Sequence, residues 1–139
     1  MILRCKQCGS ANRVPAARLH ENAKCGSCKN PLPTDEPLPV HSAVDFDELV
    51  AGAKVPVLVD FWAQWCGPCH AVAPQVALLA KKKHGTLIVA KVDTEELQNV
   101  AGRYDIRSIP TMILFSEGKE AKRISGAMPA DAIAQSVGV

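Results

Sequence analysis

Three Cys-x-x-Cys pairs in one short chain constrain this protein more than any other feature: Cys5/Cys8, Cys25/Cys28 and Cys66/Cys69, which account for all six cysteines. A Cys-x-x-Cys turn aims two sulfurs at one point. Each pair can therefore close a disulfide, exchange electrons or supply half of a tetrahedral metal site, and its surroundings decide which. A disulfide-stapled secreted protein can also carry six cysteines. Here Met1-Ile2-Leu3 is followed by Arg4 and Cys5, without the apolar core of a secretory leader. The expectation is a reducing compartment, the cytoplasm, where such pairs serve metal binding or redox chemistry. No run approaches the roughly 18 apolar residues of a membrane span, so no membrane association is expected.

Composition divides the chain. The stretch Asn30–Pro39 holds four prolines (Pro31, Pro33, Pro37, Pro39). Short of amide donors, it reads as an extended linker that neither pairs into a sheet nor continues a helix. The expected organisation is a small unit at 1–30, a linker at 31–42 and a domain at 43–139. Residues 1–30 are too few to build a sufficient core unaided. Beyond the linker, strand and helix signals alternate. Helices are expected at Asp45–Ala53, Pro68–Lys83 (with Pro74 inside it), Glu95–Tyr104 and Pro129–Val137, strands at Val55–Trp62, Leu87–Val92, Thr111–Phe115 and Ala121–Ser125. That order implies an α/β fold, a mixed central sheet with helices on both faces.

Sixteen residues separate Cys8 from Cys25, within the spacing of a four-cysteine zinc site. Gly9 and Gly26 permit the tight backbone of such knuckles. Neither pair has the apolar strand before it, or the helix after it, that would activate a thiol. Cys5, Cys8, Cys25 and Cys28 are thus candidate ligands of one structural Zn2+, with no open position for chemistry. Two disulfides or two further redox pairs are the competing readings. His20, between the knuckles, reads as a solvent-exposed residue, or as a substitute for one thiolate.

Cys66-Gly67-Pro68-Cys69 stands instead where the strand Val55–Trp62 meets the next helix. Unpaired N–H groups and the positive end of a helix dipole favour thiolate over thiol. Cys66, before the first turn, is expected to be the exposed nucleophile, and Cys69, one turn in, the shielded resolving thiol. Asp60 interrupts an otherwise apolar run. A buried carboxylate there would hold its proton to raised pH and serve as acid/base for Cys69; the alternative is a side chain that escapes at the strand end. Lys91, in the neighbouring strand candidate, is either its partner or an exposed lysine. Pro110, directly before an apolar strand, marks a turn, and spacing alone does not bring it to Cys66.

From about Val44 onward, the runs Val59-Asp60-Phe61-Trp62-Ala63-Gln64-Trp65-Cys66-Gly67-Pro68-Cys69, Val89-Ala90-Lys91-Val92-Asp93 and Tyr104-Asp105-Ile106-Arg107-Ser108-Ile109-Pro110-Thr111, with Pro74, Gly118 and Gly126, resemble the thioredoxin family. With the cysteine knuckles in front, the whole chain resembles its zinc-binding bacterial branch, the thioredoxin 2 type. The resemblance implies a thioredoxin fold preceded by a zinc ribbon. It implies that Cys66 attacks, Cys69 resolves and Asp60 assists, with Trp65, Gly67, Pro68, Lys91 and a cis Pro110 completing the catalytic set. Trp65, Ile109 and Pro110 would bind substrate, the Ile109 backbone pairing with a substrate strand. Two departures change charge near the dithiol: His70 where lysine is common, and Gln64 where an acid is common. The short C-terminal segment also departs from the pattern of a full final helix.

The implied activity is protein disulfide reduction, recycled by a flavin-dependent thioredoxin reductase, with disulfide-containing proteins as substrates and no organic cofactor. The expected state is a monomer. A zinc-dependent client-binding or redox-sensing, chaperone-like module is the alternative. Residues 1–42 carry six Lys/Arg against three acids, within a net charge of +2 for the chain. So mild an excess describes a solvated basic face and does not point to nucleic acid.

Overall fold

The computed structural model describes all residues, Met1–Val139. The chain opens with an antiparallel pair, β1 (Ile2–Arg4) and β2 (Ala11–Arg13), with the first knuckle between them. A one-turn 3-10 helix follows at Ala16–Arg18, and a Lys24–Pro31 bridge closes the second knuckle. The main sheet holds β3 (Leu38–Pro39), β4 (Val57–Trp62), β5 (Ile88–Asp93), β6 (Thr111–Ser116) and β7 (Lys119–Ser125). Its order is β3-β5-β4-β6-β7, with β3, β5 and β4 mutually parallel and β6 and β7 antiparallel to their neighbours. The expected mixed sheet is thus present.

Strand side chains alternate between two cores, the consequence of the two-residue period of a strand. Val57, Val59 and Phe61 of β4 face the layer containing α1 (Ala43–Gly52) and α3 (Gln98–Arg103), through Phe46, Leu49 and Val100. Leu58 of the same strand faces α2 (Gly67–Lys82) and α4 (Ala130–Val137), through Val72, Val76, Leu79 and Ile133. Asp60 therefore belongs to the α2 side of β4. Ser42 caps α1, accepting the Asp45 N–H at 3.1 Å, which starts the helix two residues earlier than its apolar spacing suggests. The short C-terminal segment does form a helix, which ends on Gly138 in the left-handed conformation (φ 81°).

Two expectations are corrected here. The proline-rich stretch enters the sheet: Leu38–Pro39 pairs with β5, and the Val40 N–H donates to the Lys91 carbonyl at 3.0 Å. Proline lacks a donor yet keeps its carbonyl, and an edge strand tolerates the missing bond. Nor is the ribbon held apart by a linker. Met1, Leu3, Val14, Leu19 and Leu32 are buried in the same core as Phe46, Leu49 and Val50 of α1. A Cβ on Gly52 would lie 3.1 Å from the Ala16 Cβ, so α1 meets the ribbon across its one glycine. No helix is long and apolar enough to cross a membrane.

Candidate functional site: a redox pair and a four-cysteine cluster

The N-cap of α2 is Cys66 itself. Its sulfur accepts the Cys69 N–H at 3.2 Å, with Gly67 and Pro68 forming the first positions of the helix. Proline costs nothing there because the first helical N–H groups have no intrahelical acceptor. Cys66 and Cys69 are joined as a disulfide, their Cα atoms 5.2 Å apart. Both are only 3% exposed, so the expectation of an exposed Cys66 is corrected. Bonded to each other, the two sulfurs pack with Ala63, Trp62 and Ile109. Access distinguishes them instead. A groove of about 470 Å³ is lined by Trp65, Cys66, Gly67, Pro68 and Ile109, among others, whereas Cys69 lies outside its lining.

The groove's opposite wall comes from the segment before β6. The Ile109–Pro110 peptide is cis, and the Ile109 carbonyl oxygen lies 3.7 Å from the Cys66 sulfur, across 43 residues of sequence. Pro110 itself is buried behind that wall. Trp65 projects into solvent, 71% exposed, and its indole N–H donates to Glu95 Oε1 at 2.8 Å. His70 sits in hydrogen-bond contact with the Gln64 carbonyl (2.7 Å), so the two departures from the family pattern touch each other. Sequence reasoning misses Glu95, since nothing local ties it to Trp65.

Asp60 is fully buried, which rules out a side chain escaping at the strand end. Neither carboxylate oxygen has a hydrogen-bond partner. Burial pushes its pKa up to about 6, against a smaller downward pull from the Lys91 ammonium. Lys91 is directly opposite Asp60 in the β4–β5 register, half-buried, with its ammonium 4.5 Å from the Trp62 ring centroid. It is a neighbouring charge rather than a hydrogen-bonded partner.

The remaining four cysteines are free thiols and converge. Their sulfurs all lie within 4.8 Å of one another, with cross-knuckle distances of 3.5 Å (Cys5–Cys28) and 3.6 Å (Cys8–Cys25). A tetrahedron with Zn–S bonds of about 2.3 Å has edges of about 3.8 Å, so these residues fit a four-thiolate metal centre. The second knuckle suits thiolates, whereas in the first, despite backbone N–H groups of Cys8 and Gln7 that favour thiolate, burial and the Cys28 and Cys8 sulfurs leave Cys5 raised. Backbone N–H groups of Cys28 and Ser27 lower the Cys25 thiol to about 6, and those of Asn30 lower Cys28. Asn12 braces the second knuckle, its amide donating to Cys25 Sγ at 3.5 Å and accepting the Gly26 N–H at 2.9 Å. His20 is outside the cluster. It is half-buried with Nδ1 enclosed and unpartnered, which corrects its reading as solvent-exposed.

A mixed five-stranded sheet flanked by two helix layers, with a Cys-Gly-Pro-Cys disulfide capping a helix, defines a thioredoxin-fold thiol–disulfide exchange protein. Comparison with known proteins agrees. The family described as Thioredoxin matches residues 37–138, and that described as Thioredoxin 2, N-terminal matches residues 4–30. Thioredoxin C-3 of Corynebacterium nephridii is 39% identical, over 92% of this chain and 87% of that protein. The chloroplastic M-type thioredoxin of Pisum sativum is 46% identical over 66% of this chain, which spans about half (54%) of the plant protein's length. Among solved structures, a variant thioredoxin from Halobacterium salinarum superimposes with a TM-score of 0.67 at 37% identity, covering 73% of this chain and 87% of that one. The chain belongs to the thioredoxin family, and it carries the N-terminal cysteine ribbon of the thioredoxin 2 type.

Proposed function

We propose that this protein reduces disulfides in other proteins, with Cys66 as nucleophile and Cys69 as resolving thiol. In the dithiol form, the Cys66 thiolate attacks one sulfur of the substrate disulfide. A new S–S bond joins Cys66 to that sulfur, and the other substrate sulfur leaves as a thiolate that takes up a proton. Asp60 accepts the Cys69 proton, and Cys69 attacks Cys66 of the mixed disulfide. The second substrate thiol departs, and two electrons have passed from the dithiol to the substrate. Trp65 and Ile109 hold the substrate strand, Pro110 supports that wall, Gly67 and Pro68 shape the helix start, and Lys91 moderates the proton affinity of Asp60.

The observation that carries this reading is the asymmetry at α2. Cys66 caps the helix, receives the Cys69 N–H and lines the groove, while Cys69 does not line it. The oxidised pair is returned to the dithiol by a flavin-dependent thioredoxin reductase, in the cytoplasm, where the four other cysteines stay reduced. Those four hold one Zn2+ in a closed structural site. The core shared between ribbon and α1 supports a ribbon that buttresses the exchange domain. The test is reduction of insulin by dithiothreitol: Cys66→Ser should abolish the protein's catalysis, and full activity in that variant would overturn the assignment.

A further inference from the structure

We propose that Arg107 selects substrate disulfides flanked by Asp or Glu, by pairing its guanidinium with a substrate carboxylate beside the attacked cysteine. This rests on exchange at Cys66 as proposed above, and adds the substrate class that the site prefers.

Arg107 is the only charged side chain lining the groove that opens onto Cys66. Its Nε donates to both oxygens of Asp105, at 3.0 and 3.1 Å. The terminal nitrogens make no bond within the chain, and the side chain is 83% exposed. Those nitrogens remain as donors in a planar fork, which suits a carboxylate. Two carboxylates stand near the groove without lining it, Glu95 keeping its charge and Asp105 offset by Arg107. Glu95 accepts the Trp65 indole N–H and Asp105 is held by Arg107 itself. Residue 64, before Trp65, is a neutral glutamine. An acidic segment therefore meets the terminal guanidinium nitrogens of Arg107, which make no bond within the chain even though Asp105 pairs with its Nε, and no acid lines the groove itself.

Reach limits where the substrate acid can lie. Arg107 is two residues before Ile109, whose carbonyl is beside Cys66 Sγ. A substrate strand laid along Ile109 advances about 3.3 Å per residue, which puts the paired acid within about two residues of the attacked cysteine. Arg107 forms no covalent bond. The electrons still pass from the Cys66/Cys69 dithiol to the substrate disulfide, and the ion pair only raises the encounter and residence of matching substrates.

The test compares second-order rate constants for the fully reduced protein against two peptide disulfides that differ only in Asp or Lys beside the cysteine, followed by tryptophan fluorescence. An exposed charge pair predicts a preference of about fivefold for the Asp peptide at low ionic strength, fading in molar salt. Arg107→Gln should bring the ratio near one, Arg107→Glu should invert it, and Arg107→Lys should keep part of it. Lys122→Glu, which makes the same charge change on exposed β7, should leave the ratio in place. Equal rates for the two peptides, a preference that survives Arg107→Gln, or one lost equally in Lys122→Glu would overturn the proposal. A wild-type protein that fails to reduce even the small neutral bis(2-hydroxyethyl) disulfide would instead refute exchange at Cys66, and this proposal with it.

Discussion

The chain uses one motif in two ways, and the difference lies in what stands beside each pair. Around Cys5, Cys8, Cys25 and Cys28 the neighbours are other sulfurs at 3.5–3.6 Å, held by short hairpins and by Asn12. Around Cys66 and Cys69 they are a helix N-terminus, a carbonyl wall and a groove. Four thiols that face one another fit a closed metal centre. Of the other two, Cys66 lines a groove with room for a third sulfur and Cys69 does not. On the proposed reading, the same four-residue turn is a fastener in one place and a reaction centre in the other.

The comparison is most sharply tested at the redox pair. In Cys69→Ser the mixed disulfide forms but is not resolved, so turnover should fall by at least about a thousandfold while a covalent Cys66–substrate adduct accumulates in the mass spectrum. Rapid turnover without an adduct would break the division of labour between the two sulfurs.

Stripping the metal and replacing Cys5 and Cys8 by Ser should cost several kcal/mol, since a structural metal site carries folding energy. The loss should not stop at residue 30. Because Met1, Leu3 and Leu19 share a core with Phe46 and Leu49, amide exchange should rise in α1 as well, with one melting transition at lower temperature. Two separate transitions, the upper one unchanged, would show that the ribbon and the exchange domain are energetically independent.

The third effect reverses sign with function. The Asp60 pKa is raised to about 6 in the folded protein, above the roughly 4 of an unfolded chain. The folded state thus binds the proton more tightly, and stability falls as pH rises from about 4 to about 6, reaching the full penalty above that window. Asp60→Asn should therefore stabilise the protein by up to about 2–3 kcal/mol at pH 8 and by little at pH 4, as read by denaturant titration, while slowing resolution by Cys69. Equal gains at both pH values would remove Asp60 from the proton-handling role. Smallest is the cap of α1: Ser42→Ala loses the bond to the Asp45 N–H and should cost about 1 kcal/mol, lowering the ribbon's exchange protection along with that of α1.

Much of the molecule is legible in its sequence, for local reasons. Strand β4 declares itself by a β-branched run, α2 by apolar spacing from Val72 to Ala80, and the ribbon by cysteine spacing. What misleads is also local. Four prolines conceal the edge strand Leu38–Pro39, because composition counts missing donors and not the carbonyls that remain. His20 reads as exposed because its enclosure depends on segments far along the chain. Glu95 leaves no signal, and Arg107 is legible only as part of a family-like run, since their positions beside Trp65 and the groove come from packing.

The sequence by itself determined which sulfurs belong together and that one pair starts a helix, because turn chemistry and helix dipoles act within a few residues. Only the tertiary structure decided that Cys66 and Cys69 are equally enclosed yet unequal in access, that Ile109 closes the wall from 43 residues away, and that Asp60 lies fully buried without a hydrogen-bond partner. Burial and convergence arise when distant segments pack, and they separate a disulfide beside a groove from four free thiols that face one another.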